Sequence, residues 1–183
     1  MVLFLVIDFI YGNDIINLTI IGGGKITMKL LHKLGLFLMV FMAGFLLTGC
    51  GEKNIEGDLS ELMTKVYAEL PEDKTPMGLT TIEVTAENVE GFLGTADIEY
   101  KEALASESMV GSIAHSVVLV RVEDESKVEE VMAQIKDNVN PRKWICVGVE
   151  EDQVIVKNKG NLIILIMVAD GSEELEAGFD SLK

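Results

Sequence analysis

The sequence predicts an α+β domain with a small, mostly antiparallel sheet and helices packed mainly on one of its faces, in two layers. Three observations indicate this class. Apolar residues recur three and four positions apart in 58–70 and 126–139, as on one face of a helix. β-branched residues dominate 113–122 and 162–168, as is typical of strands. The turn-forming Asn-Lys-Gly-Asn at 158–161 separates two β-rich runs and favours a hairpin.

The first half of the domain begins with a helix and continues with a short strand. Asp58 and Glu61 have the spacing of a capping box, and Pro71 stops the helical pattern. A short edge strand is expected over 80–85, where β-branched residues follow a loop.

The next segment, 86–108, has no single pattern. Helical character is present over 88–93 and again over 97–104. The strand at 113–122 is clearer, because alternate side chains of a strand point to opposite faces of the sheet. One face would carry Val118, Val120 and Val122, and the other Val117, Leu119 and Arg121.

The second half ends in a hairpin and a helix. Ser126 begins another capping-box pattern, and Pro141 ends the helix that follows. Residues 144–149 form either a strand or a packed connection. The seven consecutive apolar residues of 162–168 predict a central strand that is covered on both faces. A last helix is expected over 171–182.

Charge divides the chain into two parts. Its 183 residues carry a net charge of −15, but the first 49 hold three lysines and two acids, whereas 50–183 hold 12 basic and 28 acidic residues. Phosphate backbones repel so acidic a domain, so no nucleic-acid partner is expected. Basic peptides and cations are attracted, in a manner that depends on salt.

An export segment is predicted over 28–49. Basic residues follow Met28, and fourteen uncharged residues then run from Leu34 to Leu47. As a helix this run reaches ~21 Å, short of the ~30 Å hydrocarbon layer, so a processed signal peptide is favoured over a permanent span.

The end of this segment, Leu-Thr-Gly-Cys at 47–50, resembles the lipobox of bacterial lipoproteins. In that family the cysteine thiol receives a diacylglyceryl group and the peptide is cut just before it. The resemblance implies that Cys50 is the lipid attachment residue and the first mature residue. Because two acyl chains hold a protein on a bilayer, we expect an anchor at the outer face of the cell membrane. A tether over 50–57 then leads to a single domain over 58–183.

Residues 1–27 fit no part of this scheme. The codons of Gly22–Lys25 are purine-rich, as a bacterial ribosome-binding site is. Our hypothesis is that translation begins at Met28 and that 1–27 is a mis-annotated extension. The alternative is an additional hydrophobic hairpin.

The domain itself resembles a family over 58–182. The likeness is carried by the first helix, by Met109 with Ile113–Val122, by Lys127–Val131 and by Gly160–Leu165. It is similar to the uncharacterised lipoproteins of Gram-positive bacteria that are grouped as a domain of unknown function. That family has no assigned activity or site residues, so the resemblance implies only the anchor and the fold.

No catalytic, cofactor-binding or metal-ligating set emerges from the sequence. His115 is the only histidine after Cys50, and Ser112 and Ser116 are out of phase with it, so a hydrogen-bonded structural histidine is expected. Cys146 lies in an apolar Trp-Ile-Cys-Val run and is expected in the core. One histidine and one unlipidated cysteine make a zinc site improbable.

Carboxylates cluster at 123–125, 150–152 and 173–174, without the alternating spacing of a calcium loop. We expect them to be solvated acids beside turns. The sequence therefore predicts a non-enzymatic envelope lipoprotein that needs no cofactor and binds an envelope protein, a basic peptide or a small ligand. The alternative is a lipid-tethered extracytoplasmic hydrolase that uses surface carboxylates.

Overall fold

A computed structural model of the chain describes residues 54–183. The predicted extension, the signal peptide and Cys50 lie outside the described residues. Within them, a five-stranded sheet and four helices confirm the α+β class. The elements in chain order are α1 Leu59–Tyr67, β1 Leu79–Glu83, α2 Val89–Leu93, β2 Glu102–Ser108, β3 His115–Arg121, α3 Val128–Asn138, β4 Ile155–Lys159, β5 Leu162–Val168 and α4 Ser172–Ser181.

The sheet has the strand order β1-β2-β3-β5-β4, and every neighbouring pair is antiparallel. In the central pair, His115 lies opposite Val168 and Arg121 lies opposite Leu162. Every residue of β3 and of β5 is buried. The prediction of a central strand at 162–168 that is covered on both faces is confirmed.

Helices cover both faces of the sheet. Val117 and Leu119 point into a core with α1 and α4, whereas Val118 and Val120 point into a second core with α2 and α3. The expectation of two layers, with the helices mainly on one face, is therefore wrong, and the domain has three layers. The physical reason is that β3 and β5 are apolar on both sides, so each side needs its own cover.

The capping signals locate two helix starts. The Asp58 carboxylate accepts hydrogen bonds from the backbone N–H groups of Ser60 and Glu61, at 2.8 and 3.3 Å, and α1 begins as predicted. Ahead of α3 the cap is Asp124, which accepts from the N–H of Ser126 at 2.9 Å across a 3₁₀ turn. Here the prediction of Ser126 as the cap is wrong by two residues.

The helical character expected over 97–104 is not observed, because the strand β2 begins at Glu102. Its Glu, Ala and Leu residues favour helices when considered alone. Pairing of β2 with a strand on each side overrides this preference, since Ala105 lies between Ile82 of β1 and Val118 of β3. Strand propensity follows such neighbours more than the residue itself.

Residues 54–57, the described part of the predicted tether, pack on the domain. Ile55 is only 2% exposed. The Arg121 guanidinium donates to the carbonyl oxygens of Ile55 and Gly57 at 3.2 and 2.8 Å. The Asn54 side-chain oxygen accepts from the N–H of Asn161 at 3.0 Å. The described part of the predicted tether is therefore fixed to the domain.

Helices α1 and α4 meet at Gly178. A Cβ atom at this position would lie 2.1 Å from the carbonyl oxygen of Val66 in α1. The two helices thus approach as closely as their backbones allow, and this contact sets the position of α1 over the sheet.

We predict that Gly178→Ala destabilises the domain by about 1–3 kcal/mol, because the added methyl group pushes α1 away from α4. The matched control is Gly91→Ala in α2, where a Cβ atom meets nothing within 4 Å. That change should be neutral or stabilise by about 0.5–1 kcal/mol, since alanine favours helices. Urea unfolding followed by circular dichroism measures both. Equal midpoints for the two variants would contradict the close contact.

Candidate functional site

A groove of about 660 Å³ lies between α1 and the β1–β2 side of the sheet. We call it the hydroxyl-lined groove, because seven of its ten lining residues carry a hydroxyl group and none is charged. Its lining residues are Ser60, Met63, Thr64, Tyr67, Ala68, Thr75, Leu79, Thr80, Thr81 and Ser106.

The groove exists because the helices do not cover the outermost strand. The core beneath α1 and α4 takes its sheet residues from β2, β3, β4 and β5 but none from β1. The residues of β1 are accordingly half-buried or exposed. Helix α1 buries Leu62 and Val66 in that core and turns Ser60 and Thr64 towards the uncovered strand. The wall and the floor of the groove therefore come from different parts of the chain.

A buried polar chain lies behind the groove. The Tyr67 hydroxyl is 2.7 Å from Nε2 of His115, which is only 3% exposed. Burial raises the pKa of Tyr67 well above its usual range, and a hydrogen bond with Ser106 opposes this only in part. Burial also lowers the pKa of His115 to about 4. At neutral pH the phenol is therefore protonated and the imidazole is uncharged.

These protonation states suit positioning rather than catalysis. A neutral imidazole whose proton is on Nδ1 accepts a hydrogen bond from the phenol at Nε2, and the contact between the two groups holds Tyr67 in place at the groove. A nucleophile or general base needs a pKa that is lowered or lies near the working pH, whereas the pKa of Tyr67 is raised. The expectation of a hydrogen-bonded His115 is confirmed.

The opposite face of the sheet contains a second polar cluster, which the sequence did not reveal. Lys143 Nζ lies 3.0 Å from the Glu107 carboxylate and 3.1 Å from Ser116 Oγ. It also sits over the rings of Phe92 and Trp144, at 4.8 and 5.4 Å from their centroids. The three polar residues are far apart in sequence, so only the β2–β3 register, which pairs Glu107 with Ser116, brings them together.

A serine beside a lysine can form a nucleophile and its base, but this pair lacks access. Ser116 has no exposed surface. Burial lowers the pKa of Lys143, while the Glu107 charge and hydrogen bond oppose that shift. With its ammonium group engaged by a carboxylate and two rings, Lys143 fastens the loop after α3 to the sheet. We assign this cluster a structural role.

Cys146 is exposed, contrary to the expectation of a core position. It lies in a packed connection rather than a strand, with φ at +63°. The backbone explains this: the N–H of Ile145 bonds to the carbonyl of Gly111 at 2.8 Å, and the next residues close a loop. Ile145 itself is 71% exposed. Apolar neighbours in sequence were therefore misleading.

The carboxylate clusters contribute ion pairs and caps. Glu150 lies 3.0 Å from Arg142, and Glu174 lies 2.6 Å from Lys74. The hydrogen bond from Lys74 lowers the pKa of Glu174. These acids lie beside turns as expected, although two of them pair with basic side chains rather than with water alone.

One cleft, of about 470 Å³, gathers Glu99, Glu123 and Asp124 with Lys127. Hydrogen bonds from Ser126 lower the pKa of Asp124. A general acid for glycoside hydrolysis needs a raised pKa, so Asp124 does not fit that role. Within 54–183 no three His, Cys, Asp or Glu residues are grouped so as to hold a metal ion.

No protein-family model matches the chain, and neither a curated protein nor a solved structure is found to match it. The likeness to the Gram-positive lipoproteins and the lipobox at 47–50 therefore stay predictions. In the part of the chain that the structure describes, no helix combines the length and apolarity that crossing a membrane requires.

We predict that His115 makes the domain less stable in mild acid. Its pKa is about 4 when folded and 6.5 in the unfolded chain, so the unfolded state binds more protons between these values. Stability should fall as pH drops through this window, by about 3 kcal/mol in total, and be unaffected by this group above it. Urea unfolding at several pH values measures this.

The control for this measurement is His115→Gln, which retains a side chain able to accept from Tyr67 but does not titrate. Its stability relative to the wild type should improve steadily as pH falls from neutral towards the folded pKa. A constant difference between the two proteins across the window would contradict the buried, neutral histidine.

Proposed function

We propose that this protein is a lipid-anchored lipoprotein at the outer face of the bacterial cell membrane, and that its domain binds an uncharged ligand in the hydroxyl-lined groove without catalysing a reaction. The lipobox at 47–50 supports the anchor. The observation that carries the binding role is the composition of the groove, which has no charged lining residue in a part of the chain with net charge −16.

The lining favours a ligand with amide or hydroxyl groups. Hydroxyl side chains both donate and accept hydrogen bonds. Those of Ser60 and Thr81 have no hydrogen-bond partner among the described residues, so they are available to a ligand. Met63 and Leu79 add apolar contact. A charged ligand would lose hydration in the groove without gaining an opposite charge there.

The tethered hydrolase remains a second candidate because of one observation, the cleft of Glu99, Glu123 and Asp124. We place it second, since Asp124 serves as a helix cap and its lowered pKa keeps it ionised. By contrast, the hydroxyl groups of the groove that have no hydrogen-bond partner among the described residues serve no structural role that competes with ligand binding.

The anchor is tested by the variant Cys50→Ala. We expect the wild type to incorporate labelled palmitate and to begin at Cys50, and the variant to remain unlabelled and uncut, because only a thiol accepts the lipid. Cys146→Ala is the matched control and should behave as the wild type. Gel autoradiography and mass spectrometry give the result, and label in the Cys50 variant would contradict the anchor.

Binding in the groove is tested by Thr64→Trp, which fills it from the exposed side of α1. The control is Glu61→Trp, an exposed position on the same helix that does not line the groove. The probes are neutral peptides and neutral oligosaccharides, added to the full-length chain in detergent micelles. We expect NMR shifts around Tyr67 and Ser106, and about tenfold weaker binding for Thr64→Trp only. Equal affinities in both variants would contradict the proposal.

A further inference from the structure

The two edges of the sheet differ in how they are protected. On β4, Lys157 Nζ lies 2.9 Å from Glu176 and 2.7 Å from Asp180 of α4. Lys159 Nζ donates to the carbonyl oxygens of Asp180 and Leu182 at 2.5 and 2.6 Å. Lysines and an adjoining helix are devices that keep another strand from pairing with an edge. The β4 edge is therefore guarded.

Within residues 54–183, the β1 edge has none of these devices. Its sequence, Leu-Thr-Thr-Ile-Glu at 79–83, contains no lysine and no proline. Each of its residues is paired with one residue of β2, from Leu79 with Ser108 to Glu83 with Leu104, so no bulge interrupts it. Such an edge offers a regular template for another strand.

The backbone hydrogen bonds show which groups of β1 point outwards. The Gly78 carbonyl accepts from the N–H of Met109, and the N–H of Val84 donates to the Ala103 carbonyl, both at 3.0 Å. Because bonding alternates along an antiparallel strand, the residues in phase with 78 and 84 bond to β2. Leu79, Thr81 and Glu83 are out of phase, so their N–H and C=O groups point away from the sheet.

One of these outward groups is already used. The Glu83 carbonyl accepts from the Asn88 side chain at 3.0 Å. Leu79 and Thr81 then present two donors and two acceptors in a row, and the side chains of both line the hydroxyl-lined groove. The free edge and the groove are thus parts of one continuous surface.

We propose that a partner protein adds an extended segment beside β1 as a sixth strand, with alternate side chains of that segment lying in the hydroxyl-lined groove. This inference rests on the proposed function, because the same groove receives the ligand. Backbone pairing with Leu79 and Thr81 supplies affinity, and the groove selects the side chains, as in other cases of strand addition.

The surroundings define the chemistry of the segment. Side chains that enter the groove should be small and uncharged, such as Thr, Ser, Val or Ala, because the lining offers hydroxyl groups but no counter-charge. Residues beyond the groove should be basic, since 50–183 has a net charge of −16. The segment is therefore a short β-forming stretch between lysines or arginines.

A designed peptide tests this, consisting of roughly six alternating Thr and Val residues, the usual length of a strand, with lysines at both ends. Its partner is the full-length chain in detergent micelles, observed by NMR. We expect the amide protons of Leu79 and Thr81 to exchange rapidly without the peptide and to become protected when it binds. A peptide that is N-methylated at alternate backbone positions should bind about tenfold more weakly or worse.

The matched protein variants are Thr81→Pro and Thr81→Val. Proline removes an outward N–H but no bond to β2, and edge strands accept it at such positions. We expect Thr81→Pro to bind about tenfold more weakly than Thr81→Val, because both variants lose the hydroxyl group but only valine keeps the N–H, and both should keep the circular dichroism spectrum of the wild type. The methylated peptide gives the same information without altering the protein.

Several results would overturn the inference. The first is equal affinity for the methylated and unmethylated peptides, and the second is no detectable binding at about millimolar peptide. The third is protection of the Leu79 and Thr81 amides that appears without peptide as protein concentration rises, which would mean that a second copy of the chain pairs with the edge. If Thr64→Trp blocks neutral probes while Thr81→Pro binds the designed peptide as tightly as Thr81→Val does, only strand addition fails and the proposed function stands. If Thr64→Trp blocks nothing, the proposed function fails as well.

Discussion

Strand β3 is buried on both faces, yet three of its seven side chains are polar. Buried polar groups need hydrogen-bond partners, because leaving them unpaired costs free energy. His115 bonds to Tyr67 and Ser116 to Lys143, and the two terminal nitrogens of Arg121 bond to Glu102 and to carbonyls near the amino end of the described chain. Alternation sends His115 and Ser116 to opposite faces, so their partners come from both outer layers. One strand thereby fixes segments that are distant in sequence.

The geometry of the groove follows from these requirements. His115 fixes Tyr67 at the end of α1, and the backbone contact at Gly178 fixes the same helix against α4. With α1 held at both places, its polar side stands at a set distance from β1. The candidate site is therefore a consequence of how the core is completed, and not a separate feature added to the surface.

The sequence predicts those elements whose residues are compatible with only one type of secondary structure. Seven apolar residues in 162–168 fit a strand covered on both sides, and the Asp58 carboxylate caps α1 by accepting from the N–H of Ser60. It predicts β2 poorly, because alanine, leucine and glutamate prefer helices until two neighbouring strands pair with them. The groove and the Lys143 cluster could not be predicted, since serine and threonine are common on surfaces and only the strand register assembles them.

The docking of Asn54 and Ile55 has a mechanical consequence for a lipidated Cys50. Three residues would then separate the acylated cysteine from the folded domain, and this linker could span at most ~14 Å between Cys50 and Asn54. The Debye screening length is ~8 Å at physiological salt, so an anionic bilayer and this acidic domain would repel each other over much of that linker length. For the lipid anchor that we propose, ionic strength would therefore set how closely this acidic domain approaches an anionic bilayer.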